Sequence, residues 1–201
     1  MKRVYRGCLL VILLFLSLSV AYAQEQSQAI IQPGQETVKG LKVGFDLDDT
    51  LLFSTPAFDK GFKSVHEPFL RRFWLLVNQS DKGNSTVKES VKKILEEHKK
   101  NGDEIFIITA RDPDGSRPLI DFIIETFKIK EENIYLEPRG KKNKIKSLEL
   151  DIFYGDADSD ISDAMKSGAK AIRIMRSEKS WNKKKYHPGK YGEQLIENSA
   201  E

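Results

Sequence analysis

Two short stretches of this chain crowd carboxylates together: Asp46-Leu47-Asp48-Asp49-Thr50 and Gly155-Asp156-Ala157-Asp158-Ser159-Asp160. Between them, Thr109-Ala110-Arg111 offers a hydroxyl and a cation, and Lys141, Lys142, Lys144 and Lys146 lie just ahead of the second acidic run. Crowded carboxylates repel, and a hard divalent cation relieves them. Mg²⁺ takes oxygen ligands and keeps room for waters and a phosphate oxygen. A metal, a lysine and a threonine hydroxyl together could neutralise a phosphoryl group, so that one carboxylate is free to attack phosphorus. A second carboxylate two residues along, facing the same side of a turn, could protonate the leaving oxygen and later deprotonate water.

Each stretch also has an ordinary reading. Asp-x-Asp is common in turns, and a lysine cluster is usually a solvated helix face. The run from Asp156 resembles the start of a calcium loop, but Ile161 and Ser167 stand where that loop needs its Gly and its Glu, which excludes an EF-hand. The chemical reading gains weight only if the chain brings the stretches to one place.

The apolar pattern says that it does. Lys42–Asp46, Glu104–Ala110, Asn133–Glu137, Asp151–Gly155 and Lys170–Arg176 read as strands, the second apolar enough for burial on both faces. Helices are expected over Asn84–Asn101, with Thr86 and Glu89 as a capping box, and over Pro118–Phe127, Lys141–Leu148 and Asp158–Ser167, the last closed by Gly168. Strands alternating with helices predict an α/β fold, a doubly wound parallel sheet. Ligands bind such sheets beyond the carboxyl ends of the strands, where these polar stretches fall. The aromatic-rich segment from about residue 53 to 83 breaks the alternation and is expected to be a small helical cap inserted after the first strand.

Phe45-Asp46-Leu47-Asp48-Asp49-Thr50, Thr109-Ala110-Arg111 and Gly155-Asp156-Ala157-Asp158-Ser159-Asp160 resemble the motifs of haloacid dehalogenase (HAD) superfamily phosphatases. Within that superfamily the chain is similar to the bacterial class B acid phosphatases. The resemblance is carried by Gly44-Phe-Asp-Leu-Asp-Asp-Thr-Leu-Leu-Phe-Ser-Thr-Pro56, Ile152-Phe-Tyr-Gly-Asp156 and Tyr191-Gly-Glu-Gln-Leu-Ile-Glu-Asn-Ser199, and runs from about Lys42 to the C-terminus. It implies a Mg²⁺-dependent phosphomonoesterase with Asp46 as nucleophile and metal ligand. Asp48 would be the general acid/base and give its backbone carbonyl to the metal, Asp156 would be the other ligand, and Asp160 would stand behind them. Thr109 and the Ala110 amide would bind phosphate, with Arg111 near; the family pattern has Gly where Ala110 stands. Lys144 fits the family's Lys-x-x-x-Leu stretch as the phosphate lysine, with Lys142 as second choice and Lys141 and Lys146 read as solvent-facing. Phe53, Phe58, Phe73, Trp74 and Trp181 either line a slot for a nucleoside base or simply pack the cap. The resemblance further implies a homo-oligomer, typically a tetramer, and small phosphomonoester substrates, nucleoside monophosphates among them. Phosphotransfer to other alcohols would share the intermediate. The alternatives are a class C-like acid phosphatase and a catalytically inactive binding or storage protein, and the second would be marked by loss of Asp46.

The chain's start reads as a secretory leader. Lys2, Arg3 and Arg6 precede an apolar run, Cys8–Val20, too short to span a bilayer, and Ala21-Tyr22-Ala23 offers a cleavage site. The domain plan is therefore a signal peptide at 1–23, an arm at 24–40 and the phosphatase-like domain at 41–201, in the periplasm and without a stable membrane anchor. The +3 formal charge comes from 33 basic and 30 acidic residues, and Lys2, Arg3 and Arg6 lie in the leader. The remainder is balanced, which excludes a general basic surface for a nucleic acid polymer. The single cysteine, Cys8, also lies in the leader, so no disulfide is expected afterwards.

Overall fold

Alternation along the strands decides the architecture. The computed structural model describes residues 40–201; the expected leader at 1–23 and nearly all of the expected arm, up to residue 39, lie outside the described residues. In the longest strand of the sheet, Ile105 and Ile107 pack into one apolar cluster and Phe106 and Ile108 into another. Because successive side chains of a strand point to opposite faces, both faces of the sheet are covered. One cluster holds Val91, Leu95, Leu119, Ile123 and Phe127, from the two helices between the strands, and the other Ile145, Ile161 and Ala164. Helices on both faces of a parallel sheet make the chain a doubly wound α/β fold.

In chain order the elements are β1 (Lys42–Phe45), β2 (Leu52–Phe53), α1 (Thr55–Ser64), α2 (Arg71–Ser80), β3 (Thr86–Val87), α3 (Glu89–Lys100), β4 (Glu104–Thr109), α4 (Arg117–Phe127), β5 (Ile134–Leu136), α5 (Lys142–Leu148), β6 (Ile152–Gly155), α6 (Asp158–Ser167), β7 (Lys170–Ile174) and β8 (Gln194–Ile196). The main sheet runs β5-β4-β1-β6-β7-β8, every neighbouring pair parallel. The chain winds outward from β1 through β4 to β5, then returns to build β6, β7 and β8 on the other side of β1. The crevice where the winding reverses, beyond the carboxyl ends of β1 and β6, is where ligands enter such sheets.

Two elements differ from the sequence expectation. The helix expected from Asn84 begins at Glu89, because Thr86 and Val87 pair antiparallel with Phe53 and Leu52 as a two-stranded ribbon. Backbone pairing with β2 thus replaces the Thr86 capping box, and Lys88 takes the cap position with no side-chain cap. The sixth strand, β8, was not expected: three residues are too few to show a period, and they become a strand only by pairing with Ile172, Arg173 and Ile174.

Between β1 and β3 stand α1 and α2. They approach closely at Gly61, where a Cβ would lie 2.7 Å from the Phe73 ring and 2.8 Å from Val77. Phe58, Phe73 and Val77 form their buried contact, with Phe62, Trp74 and Trp181 packed around it. Asn78 of α2 donates to the carbonyls of Asp112 and Asp114 at 3.0 and 2.9 Å, tying the pair to the loop after β4. Among the described residues no helix is long and apolar enough to cross a membrane.

Candidate active site

The turn after β1 is tight. Leu51 and Leu52 both donate their N–H to the Leu47 carbonyl, Asp49 donates to Leu52, and Asp49 takes a left-handed φ of 56°. Asp46 still donates to Tyr154 of β6, so its carboxylate leaves the sheet in register with β6. Thr50 closes the turn: its hydroxyl lies 3.2 Å from Asp46 Oδ2 and 3.5 Å from Asp156 Oδ1. At the end of β6, Gly155 has no side chain because Asp160 needs the space; a Cβ there would meet Asp160 Cβ at 2.4 Å. Asp160 in turn accepts the Ala157 N–H at 3.1 Å.

Oxygens of Asp46, Asp156 and Asp160 lie within 4.8 Å of one another, all three buried. Burial pushes the Asp46 carboxyl well up; Lys141 opposes this, and the charges of Asp160, Asp156 and Asp48 add to it. Burial likewise raises Asp156, to about 6, against the pull of Arg176. An oxygen-only set that resists carrying its own negative charge is the donor set a hard divalent cation fits. All three carboxylates already take donors: Lys141 Nζ and the Ala157 amide on Asp160, Lys141 and Thr50 on Asp46, and Arg176 and Thr50 on Asp156.

The lysine in this cluster is Lys141, not Lys144 or Lys142. Its ammonium reaches Asp46 Oδ1 and Asp160 Oδ1, and only 5 % of the residue is exposed. Burial works against its charge, but the two carboxylates outweigh burial and raise its pKa. Lys144 stands 3.4 Å from Glu137 and 4.2 Å over the Tyr135 ring, while Lys142 and Lys146 are exposed. The reason is geometric. Lys141 precedes α5 as its cap, where the chain still faces the crevice, whereas the helix turns the later lysines away.

Thr109 donates to Asp48 at 3.3 Å and accepts the Arg111 N–H at 3.3 Å, while Ala110 lies exposed on the cavity wall. Arg111 is differently employed than the sequence suggested. Its guanidinium is 1 % exposed and forks between two carboxylates, Asp48 at 2.6 Å and Asp81 at 2.5 Å, with Asn78 at 3.4 Å. It therefore joins the segment after α2 to the β1 turn, and its donors are committed to protein groups. Burial raises the Asp48 carboxyl, but the Arg111 charge and hydrogen bonds overcome it and hold the group below its usual value.

Four contributors were not read from the sequence. Arg176, just past β7, bonds Asp156 Oδ2 and reaches Asp49 at 3.8 Å. Its place at a strand's carboxyl end was a usable signal. Lys88 is 1 % exposed and donates at 2.7 Å to both the Asp49 and the Met175 carbonyl. Asp81 and Asp49 complete the set, and the Asp49 Oδ1 atom is buried without a partner among the described residues. Neither Lys88 nor Asp81 sits in a recognisable local pattern, and Asp49, although inside the Asp46–Thr50 stretch, is given no partner by it.

Asp46, Asp48, Asp156, Asp160, Lys141 and Arg176 floor a cavity of about 240 Å³ whose wall is Phe58, Phe69, Trp74 and Trp181. The family described as HAD superfamily, subfamily IIIB (acid phosphatase), matches residues 18–184. The chain belongs to this family. The class B acid phosphatase of Edwardsiella ictaluri is 36 % identical over 186 residues, covering 84 % of this chain and 77 % of that protein. That of Citrobacter rodentium is 34 % identical over 172 residues, covering 79 % and 73 %. Among solved structures, a predicted phosphoglycolate phosphatase from Haemophilus somnus aligns with a TM-score of 0.50 at 18 % identity, over 70 % of this chain and 87 % of that one, and so shares the fold. Membership makes this chain a phosphatase, a phosphoric monoester hydrolase, and makes the buried aspartates a candidate site for a divalent metal.

Proposed function

We propose that the chain is an exported, Mg²⁺-dependent acid phosphatase that cleaves small phosphomonoesters through a phospho-aspartate at Asp46. The observation that carries the reading is Asp46 itself, a buried carboxylate at the end of β1 between Lys141 and Thr50, beneath an open aromatic-walled cavity. Asp46 and Asp156 would hold the metal, which when bound supplies positive charge to the phosphate oxygens. Lys141 and the Thr109 hydroxyl hold the transferring group. An Asp46 oxygen forms the new bond to phosphorus as the ester P–O bond breaks, and Asp48, once it has taken up a proton from solvent against the pull of Arg111, hands that proton to the departing alkoxide. Asp48 then takes a proton from water, whose oxygen attacks phosphorus, releasing phosphate and restoring Asp46. Another alcohol in place of that water would give phosphotransfer.

The aromatic wall supports substrates with flat leaving groups, nucleoside monophosphates included. The leader at 1–23, outside the described residues, supports export to the periplasm, with the family's oligomeric habit as the expected assembly. Acid quench during turnover with 4-nitrophenyl phosphate and Mg²⁺, then mass mapping of the peptide covering residues 42–54, tests the mechanism. The expected result is a phosphoryl group on Asp46, absent in Asp46→Asn, whose turnover is abolished. Phosphate on a histidine, or no covalent species at any quench time, would sink it.

A further inference from the structure

The chain from Ser177 to Lys190 departs from the balanced charge of the rest: Lys179, Lys183, Lys184, Lys185 and Lys190 face one acid, Glu178. Its backbone is fixed at several points. Ser180 donates to Asp49 at 2.5 Å and Trp181 N–H to Thr55 at 3.0 Å. Arg176 donates to the carbonyls of Asn182 and Lys184, at 2.6 and 3.2 Å, and the Lys185 carbonyl accepts from Asp158 at 2.9 Å. A second cavity lies against this loop, lined by Phe69, Trp181, Asn182, Lys183, Lys184 and Lys185. Phe69, Trp181 and Asn182 also line the catalytic cavity, so the two share a wall.

Lys183 is spoken for, since its ammonium bonds the Glu178 carbonyl. Lys184 and Lys185 are exposed, and among the described residues neither ammonium has a carboxylate or hydrogen-bond partner, although the neighbouring Lys190 and His187 both pair with Asp158. Two unneutralised cations on a tethered loop, beside an aromatic surface continuous with a phosphate site, form a recognition element for one kind of molecule.

We propose that this second cavity is a distal anion subsite. It receives a second anionic group on a phosphomonoester whose reacting phosphate lies at Asp46 and whose aromatic body spans Phe69 and Trp181. The inference rests on the reading of Asp46 and Lys141 as the phosphate site, and it narrows that enzyme's substrates toward aromatic esters with a further phosphate or carboxylate. The loop's attachments to Asp49 and Arg176 mean that the subsite and the catalytic floor keep a fixed spacing.

The test is equilibrium binding of two non-hydrolysable probes with Mg²⁺, biphenyl-4-ylphosphonate and its 4′-carboxy derivative. The reporter is tryptophan fluorescence, since the chain's two tryptophans, Trp74 and Trp181, both stand on the wall. The carboxylate should improve affinity about three- to fivefold, the range of exposed charge pairs, and the gain should shrink in 0.5 M salt. K184Q/K185Q should bind the parent probe as the wild type does and lose the gain. K179Q, which removes a charge from the same loop outside the cavity, should keep it. A gain that survives K184Q/K185Q, or no gain in the wild type, overturns the subsite. Failure of the parent phosphonate to bind overturns the phosphate site and the subsite with it.

Discussion

Lys141 holds its ammonium between Asp46 and Asp160, almost wholly buried, and can place that charge on a phosphoryl group only from there. Lys141→Ala should lower kcat/KM for an aryl phosphate by about 100-fold or more, the scale of losing one preorganised donor to a charged transition state. Lys144→Ala, which frees only Glu137 and the Tyr135 face, should stay within about threefold; steady-state kinetics of the two purified variants checks the assignment, and the reverse order would restore Lys144. Lys88 works on the same site from behind. Its single ammonium joins the Asp49 carbonyl of the β1 turn to the Met175 carbonyl beside Arg176. Lys88→Met keeps the bulk and strands two buried carbonyls, so urea denaturation should report a loss of roughly 2–4 kcal/mol, the cost of unsatisfied buried acceptors.

At the next scale, elements are held where the site needs them by charges at their ends. Asp158, the first residue of α6, accepts the His187 N–H at 2.9 Å and its ring at 2.7 Å, Arg173 at 3.2 Å and Lys190 at 3.4 Å. Arg173 also donates to the Asp156 carbonyl at 2.6 Å, so the tail, β7 and the acidic turn after β6 are pinned together. Burial opposes the Asp158 charge, but the His187 side-chain and backbone hydrogen bonds, then Lys190 and Arg173, lower its pKa to about 2. A carboxyl depressed in the folded state binds fewer protons there than in the unfolded chain. Its contribution is therefore present above the unfolded value near 4 and lost as pH falls toward 2. Asp158→Asn should lower Tm by roughly 2–4 °C at pH 6, about 1 kcal/mol for a chain of this size. The difference should narrow steadily below pH 4 in calorimetric scans; a constant gap from pH 6 to pH 2.5 would remove the ionised carboxylate from the account.

In the whole molecule, the parallel sheet collects the ends of β1, β4, β6 and β7 at one crevice, and with them four carboxylates that repel each other. A folded state that crowds charge in this way is stabilised by any cation that fits, because the ligand binds the folded chain and not the unfolded one. At about 100 times its Kd, Mg²⁺ should add roughly 2.7 kcal/mol, seen as a Tm rise of about 5–10 °C. Chelation should reverse it. Asp156→Asn should lose most of the rise, while Asp163→Asn, which touches the Lys141 and Lys142 amides and lies outside the aspartate cluster, should keep it. A full Mg²⁺ shift in Asp156→Asn would take Asp156 out of the donor set.

The sequence by itself determined what depends on local order. Apolar runs such as Glu104–Thr109 specify strands covered on both faces, and the placing of Asp46, Thr109 and Asp156 follows, because each stands at the carboxyl end of a strand, β1, β4 or β6, where open parallel sheets bind their ligands. Tertiary structure decided what depends on distance through space. Which of four neighbouring lysines turns inward is a matter of where α5 begins, and a shift of one residue rotates a helical side chain by about 100°. Arg111, on the cavity's lining, is committed to Asp48 and to Asp81, the latter thirty positions off and without a local signal. Thr86 is taken from its cap by Phe53, β8 exists only because β7 offers an open edge, and Lys88 is silent until the Asp49 and Met175 carbonyls meet it. Periodicity is a property of a few consecutive residues and is written in the chain; ion pairing and edge pairing are properties of partners, and the fold must bring those together before either exists.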